Sequence, residues 1–172
     1  MPTNVEIKAV LRDRATVIAW AEQRSTVGPE TLRQEDVFFP CESARLKMRV
    51  LAPKRGELIR YERTDTPEVR CSHYTIARTE DPDTLIEILT KTLGTIGVVR
   101  KTRLLYRIGQ TRVHIDQVEG LGDFLELEVV MRPGQSEEEG QRIASALLFE
   151  LGVRKEDLLE LAYIDMLAHK HR

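Results

Sequence analysis

Cysteine is scarce in this chain of 172 residues: Cys41 and Cys71 are the only two. Two sulfurs so far apart exclude a metal knuckle and a disulfide framework, and both read as free thiols. Long apolar runs are missing as well. Glu6, Lys8, Arg12, Asp13 and Arg14 interrupt the N-terminal stretch, which excludes a signal peptide or membrane span there and makes the cytoplasm the expected location. Charge of one sign is also absent. The 26 Lys and Arg stand against 28 Asp and Glu for a net charge of −2, so there is no global basic field of the kind a nonspecific nucleic-acid binder carries, and any anion site must be local. Aromatic residues are only 5% of the chain, and the basic segments lack the interleaved rings that stack bases, so nucleic acid is not an expected partner. There is no phosphate-cradling glycine-rich loop and no legible Ser-His-Asp or Cys-His triad, which argues against a covalent enzyme intermediate.

What is present describes one folded domain over residues 1–172. Hydrophobic residues make up 41% and charged residues 31%, neither apolar enough for a membrane protein nor depleted enough for disorder. No repeat, low-complexity run or linker divides it. Residues 3–11 alternate as a strand does, and Asp13 then caps a helix to about Arg24. Segments 31–39, 44–50, 57–64 and 69–78 read as strands, with a turn at Pro53 to Gly56. Asp81 and Pro82 open a helix to about Leu93. Strands follow at 98–108, 111–118 and 124–132, then a helix from Ser136 to about Leu151 and a last helical segment over 156–168. The total is an α+β chain of about eight strands, dominated by an antiparallel meander.

The placement of charge on those strands is the informative signal, because residues two apart share a face. Asn4, Glu6 and Lys8 oppose Val5, Ile7 and Ala9. Lys47 and Arg49 oppose Leu46, Met48 and Val50, and Arg60 with Glu62 opposes Ile59 and Tyr61. Arg112, His114 and Asp116 oppose Val113 and Ile115, and Glu126 with Glu128 opposes Leu125, Leu127 and Val129. An amphipathic sheet with one wet face accounts for any single strand. Here the polar face is almost entirely ionisable, with carboxylates mainly in the first and last strands and cations between them. If the sheet curls with that face inward, the ends of the meander meet and gather Glu6, Glu126 and Glu128 at one seam. Unpaired buried charges cost several kcal/mol each, so such an interior must hold water, ions or a charged ligand. Clustered carboxylates suit Mg2+ or Mn2+, clustered Arg and Lys suit phosphates, and a metal-bound polyphosphate satisfies both.

These residues resemble the CYTH superfamily, the triphosphate tunnel metalloenzymes, which includes class IV adenylyl cyclases and thiamine triphosphatases. The resemblance is carried by Asn4-Val5-Glu6-Ile7-Lys8, Arg45-Leu46-Lys47-Met48-Arg49, Glu57 through Arg63, Arg112 through Asp116, Gly120 through Glu128, and Tyr163-Ile164-Asp165, and it is most similar to the class IV cyclase-like branch. It implies an eight-stranded antiparallel β-barrel, the triphosphate tunnel, with flanking helices. It also implies Glu6, Glu126 and Glu128 as ligands of Mg2+ or Mn2+, and Lys8, Lys47, Arg49, Arg60, Arg63, Arg103 and Arg112 as phosphate contacts. Lys8, Arg60 and Arg112 would be catalytic among these, and Arg100 and Lys101 compete with Arg103. The implied partner is a triphosphate-containing small molecule, with no nucleic acid and no membrane, bound by a monomer or homodimer. The implied activity is conversion of ATP to cyclic AMP and pyrophosphate, or triphosphate hydrolysis. The family signature is E-x-E-x-K, and Asn4 stands where its first Glu belongs; an amide brings no charge and cannot act as a base. That departure keeps open a noncatalytic module holding a polyphosphate or phosphorylated ligand. His114 reads as structural, and Tyr163 with Asp165 as closing the tunnel or anchoring the C-terminal segment.

Overall fold

The computed structural model describes residues 3–63 and 70–170. Its elements in chain order are β1 (Thr3–Val10), α1 (Arg14–Arg24), β2 (Val27–Phe39), β3 (Arg45–Ala52), β4 (Arg55–Arg63), β5 (Arg70–Thr79), α2 (Pro82–Leu93), β6 (Gly97–Ile108), β7 (Thr111–Val118), β8 (Gly122–Val130), α3 (Glu137–Glu150) and α4 (Tyr163–Lys170), with a short 3-10 turn at Lys155–Asp157. The strands close into an antiparallel barrel in the order β1-β5-β4-β3-β2-β6-β7-β8. The seam the charge pattern requires is present: β1 pairs β8, setting Glu6 opposite Glu128 and Lys8 opposite Glu126. A short β1–β5 pairing, from Thr3 opposite His73 to Glu6 opposite Arg70, closes the ring.

Helices start where the sequence places caps. The Asp13 carboxylate accepts from the Thr16 amide and the Asp81 carboxylate from the Thr84 amide, while Ser136 and Glu139 form a reciprocal capping box. These bonds satisfy amide donors that the first helical turn leaves open. No helix among the described residues is long and apolar enough to cross a membrane.

The apolar core lies outside the barrel. α1 and α3 cover Tyr106, Val113, Ile115, Leu125 and Leu127, α3 also covers Val5, Ile7 and Val129, and α2 covers Val37, Phe39 and Met48. With the outward face serving as core, the alternate residues of each strand are free to be polar and to face the bore. The fourth apolar cluster is of another kind. Phe38, Val99, Val118 and Phe124 lie on the inward face and pack with Ala162, Tyr163 and Ile164, so α4 plugs one end of the bore.

Two elements depart from the sequence expectation. β2 begins at Val27 rather than residue 31, its ladder with β6 resuming after a register shift between Val27 and Glu30; Pro29 has no amide to donate there. The helix expected over 156–168 is instead a 3-10 turn followed by α4. Between them Leu158 bridges Ala9 and the Leu159 amide donates to the Lys8 carbonyl at 2.8 Å, so a tertiary ladder contact holds the backbone extended where local propensity favours helix.

At Gly140, α3 packs tightly on β1 and on Met131: a Cβ there would lie 2.6 Å from Met131 Sδ and 2.8 Å from Val5 Cγ2. Gly140→Leu is expected to lower the unfolding free energy by about 1–3 kcal/mol, as overpacking of a filled interface does. Urea denaturation measures it.

Candidate functional site in the barrel bore

Cross-strand partners share a face, so the register sorts the predicted residues. β1 turns Asn4, Glu6 and Lys8 inward, β3 Lys47 and Arg49, β6 Lys101 and Arg103, β7 Arg112, His114 and Asp116, and β8 Glu126 and Glu128. Asn4, Lys8, Asp36, Lys101, Arg103, His114 and Asp116 are all buried.

Arg60 is not among them. It pairs in register with Leu46, which packs under α2, so Arg60 stands on the outer face, exposed, with its guanidinium 2.7 Å from Glu62. The expectation that Arg60 contacts phosphate and is catalytic is therefore corrected. The sequence shows that Arg60 and Ile59 face opposite ways but not which of them faces the bore, and the register gives that place to Ile59. The Arg63 side chain lies outside the described residues.

The remaining charges form two linked groups. In the first, Asp36 accepts from Arg49 Nε and Nη2 at 2.8 Å each and from Lys47 Nζ at 2.7 Å. In the second, Asp116 accepts from Arg103 Nε at 2.6 Å and Nη2 at 2.7 Å, from Lys101 Nζ at 3.0 Å and from the Tyr163 hydroxyl at 3.0 Å. Arg103 also reaches Glu126 at 3.2 Å. Glu126 has the Lys8 ammonium at 3.7 Å and His114 Nδ1 at 3.1 Å, and with its proton on Nδ1 the imidazole donates to that carboxylate. His114 Nε2 lies 3.6 Å from Glu128, which accepts from Arg112 at 3.2 Å and from the Asn4 amide nitrogen.

Burial alone would drive these groups neutral, and their neighbours decide otherwise. Burial pushes Asp116 up, but Arg103 and Lys101 override it and hold the carboxyl well below its usual range. Asp36 is kept ionised in the same way, against burial, by Arg49 and Lys47, and Glu126, against burial, by Arg103, His114 and Lys8. For Arg103, burial works against the charge, and Asp116 with Glu126 more than restores it. Lys47 is the exception: burial and then Arg49 bring it down to about 7, with Asp36 pulling the other way. His114 is lowered by burial and by Arg103, so the ring is neutral at physiological pH.

The expected separation of acids from cations by strand is corrected in part, since Asp36 and Asp116 sit among the cations. Asp36 was legible and overlooked: Gln34, Asp36 and Phe38 alternate with the apolar Val37 and Phe39 on β2. Tyr163 proves central to the site. Its ring takes the Lys8 ammonium at 3.9 Å and has the Lys101 ammonium at 5.1 Å, both cation–π distances. Asp165 on the same helix holds Arg45 in a two-pronged ion pair at 3.2 and 2.7 Å, so α4 both closes the bore and is anchored to β3.

For a divalent cation the donor chemistry fits. Glu6, Glu126 and Glu128 face one bore across the seam, and all are hard oxygen donors. Asn4 Oδ1 is buried without a hydrogen-bond partner, while the same amide's nitrogen donates to Glu128. A cluster of three or more such ligands is not already assembled among the described residues; Glu126 and Glu128 there contact Arg103, Arg112 and His114.

Removing one partner of a buried ion group leaves the others uncompensated, a loss of about 3–5 kcal/mol. Asp116→Asn, which strands Lys101 and Arg103, is expected to lower stability by about that much. Arg60→Ala, on the outer face, is expected to change it by about 0.5 kcal/mol or less. Chemical denaturation of the two variants side by side reads both.

The family model described as the CYTH domain matches residues 2–163. Among solved structures, the PH1012 protein of Pyrococcus horikoshii superposes with a TM-score of 0.84 at 24% identity, covering 94% of this chain and 98% of that one. A Vibrio parahaemolyticus protein described as a candidate adenylate cyclase gives 0.78 at 18% identity, covering 96% and 97%. A candidate adenylyl cyclase from Hippeastrum, described as having a dominant triphosphatase activity, gives 0.65 at 15% identity, covering 89% of each chain. At these identities the likeness is one of fold. No curated protein matches the chain. Because the family model spans nearly its whole length, this chain belongs to the CYTH family.

Proposed function

We propose that the chain is a metal-dependent enzyme that binds a triphosphate in the bore and cleaves a phosphoanhydride bond. The observation that carries the reading is the burial of Lys8, Lys101 and Arg103 on one inward face with Lys47, Arg49, Glu126 and Glu128. A fold with an ample apolar core elsewhere has no structural need for this many desolvated cations, and anionic oxygens are what they match.

Among the described residues, the cations Lys8, Lys47, Arg49, Lys101, Arg103 and Arg112 are nearly balanced by Glu6, Asp36, Asp116, Glu126 and Glu128, while Arg45 and Arg78 are paired with Asp165 and Glu57. The side chains alone do not neutralise a triphosphate, so further positive charge has to enter with it. Glu6, Glu126 and Glu128 would hold Mg2+ or Mn2+, which when bound supplies that charge and polarises phosphate oxygens. Lys47, Arg49 and Arg103 orient the phosphates, and the two guanidinium forks, fixed by Asp36 and Asp116, need no rearrangement as charge shifts to the leaving oxygen. Lys8, held between Glu126 and the Tyr163 ring, delivers its ammonium at the closed end. Attack by water gives hydrolysis. Attack by a ribose 3′ hydroxyl on the α-phosphorus gives a cyclic nucleotide and pyrophosphate, and the same charges serve either. Asn4 favours a second reading, a binding module without turnover, because it removes one anionic ligand from the seam.

The purified chain with Mn2+ or Mg2+ is expected to consume at least one of tripolyphosphate, ATP and thiamine triphosphate, with loss of activity on chelation. Glu126→Gln is expected to reduce the rate about a hundredfold or more. Separation of orthophosphate, pyrophosphate and cyclic nucleotide identifies the reaction. Tight, salt-sensitive binding without turnover would select the module, and neither binding nor turnover would overturn both readings.

Lys47 gives a pH signature. In the free protein its ammonium titrates near 7, and a bound phosphate raises it. Binding at about pH 8 is therefore expected to take up a proton, and affinity to fall as pH rises through the free-state value. Calorimetry in buffers of different ionisation heat measures the uptake, which Lys47→Met should remove.

A further inference from the structure

His114 is an imidazole enclosed in the acid seam of the bore, 4% exposed. It stands opposite Glu126 on β8, with Nδ1 3.1 Å from Glu126 Oε1 and Nε2 3.6 Å from Glu128 Oε2. One ring nitrogen is within hydrogen-bond reach of a carboxylate and the other is not. A neutral imidazole carries a single N–H, and the shorter contact places it on Nδ1, where Glu126 accepts it. Nε2 is left with its lone pair. Burial and Arg103 both oppose a charge on the ring, so that lone pair is present at physiological pH.

The groups near Nε2 are electron-pair donors as well. Glu128 is held by the Asn4 amide nitrogen, and the oxygen of the same amide is buried without a hydrogen-bond partner. Buried lone pairs set side by side are unfavourable until a cation or a donor satisfies them. Atoms bound to one ion at about 2.0–2.2 Å lie roughly 3.0–3.5 Å apart, close to the 3.6 Å between Nε2 and Glu128 Oε2. A histidine that ligates a metal usually gives its other N–H to a carboxylate, which fixes the tautomer and the ring's orientation. Glu126 supplies that carboxylate, itself held by Arg103 at 3.2 Å. Arg112 reaches Glu128 at 3.2 Å, but its side chain is 42% exposed, so it can turn to an incoming phosphate and release the carboxylate.

We propose that His114 Nε2 is a ligand of the divalent ion, in one set with Glu128 and the Asn4 amide oxygen, and that Glu126 orients the ring. The assignment rests on the metal-dependent triphosphate reading above. It adds a nitrogen to a site otherwise made of oxygen. Carboxylates alone suit Mg2+, a hard ion that keeps its waters, whereas an imidazole favours transition ions. The chain therefore selects Mn2+ over Mg2+.

The test titrates the intact protein with Mn2+ and with Mg2+, with and without tripolyphosphate. It compares the wild type, His114→Gln, and a chain in which the other three histidines, His73, His169 and His171, are replaced by Gln. The wild type is expected to bind Mn2+ about tenfold more tightly than Mg2+ or better, and His114→Gln to lose about tenfold for Mn2+ while Mg2+ stays within about twofold. A glutamine still has an N–H to donate to Glu126, so a histidine with a merely structural role would leave both affinities unchanged. Pulsed EPR of the bound Mn2+ is expected to show imidazole nitrogen modulation in the wild type, none in His114→Gln, and the full signal in the chain whose only histidine is His114. That last chain decides the matter should His114→Gln fail to fold. Phosphorus modulation from tripolyphosphate on the same ion reads the triphosphate reading separately. Phosphorus modulation without nitrogen modulation, or equal changes for Mn2+ and Mg2+ in His114→Gln, overturns the ligand and leaves the triphosphate reading standing. No metal bound, with or without tripolyphosphate, overturns both.

Discussion

The structure depends on mutual compensation among ions taken out of water. Moving a carboxylate or an ammonium into a protein interior costs several kcal/mol per ion, and only close, well-aligned partners recover it. Asp116 is fully buried and does so for two cations and a phenol at once; Asp36 does so for Lys47 and Arg49. These carboxylates are fixed counter-ions for the inward-facing cations of the bore. They hold the guanidinium forks in position before any ligand arrives, which is the form electrostatic preorganisation takes in a bore lined with long, flexible side chains.

That arrangement is affordable because the apolar core has been moved elsewhere. In a sandwich the inward strand faces make the core; here the outward faces do, under α1, α2 and α3. The stabilisation from burying Tyr106, Phe39, Met48 and Leu127 offsets the desolvation of the bore, and the two sets of residues alternate along the same strands. Site and core are therefore inseparable in sequence: a one-residue slip in register would exchange them.

Asn4 shows how local the compensation is. Its amide nitrogen donates to Glu128, a bond that a carboxylate at that position could not make. Where two acids would repel across the seam in the absence of a cation, the amide is attracted, and its free Oδ1 stays available as a neutral oxygen donor.

Much of this was legible in the sequence, and the remainder was not, for definite reasons. Period-two alternation located the eight strands, the Asp13, Asp81 and Ser136 caps located the helices, and the charged faces of β1, β3, β7 and β8 pointed to a polar interior. These are properties of single segments, governed by bonds within a few residues. Arg60 was misplaced because alternation divides a strand into two faces without saying which is inside, and on β4 the inward face is the less charged one. The extended run before α4 depended on a hydrogen bond to Lys8, far away in the chain. The grouping of Asp116 with Arg103, Lys101 and Tyr163, and of His114 with Glu126 and Glu128, came only with barrel closure and register. Sequence determines what each strand can offer to its two sides; which groups meet, and so which charges survive burial, is decided by the tertiary pairing, because Coulomb energies fall off over a few ångströms and depend on neighbours that the chain order does not contain.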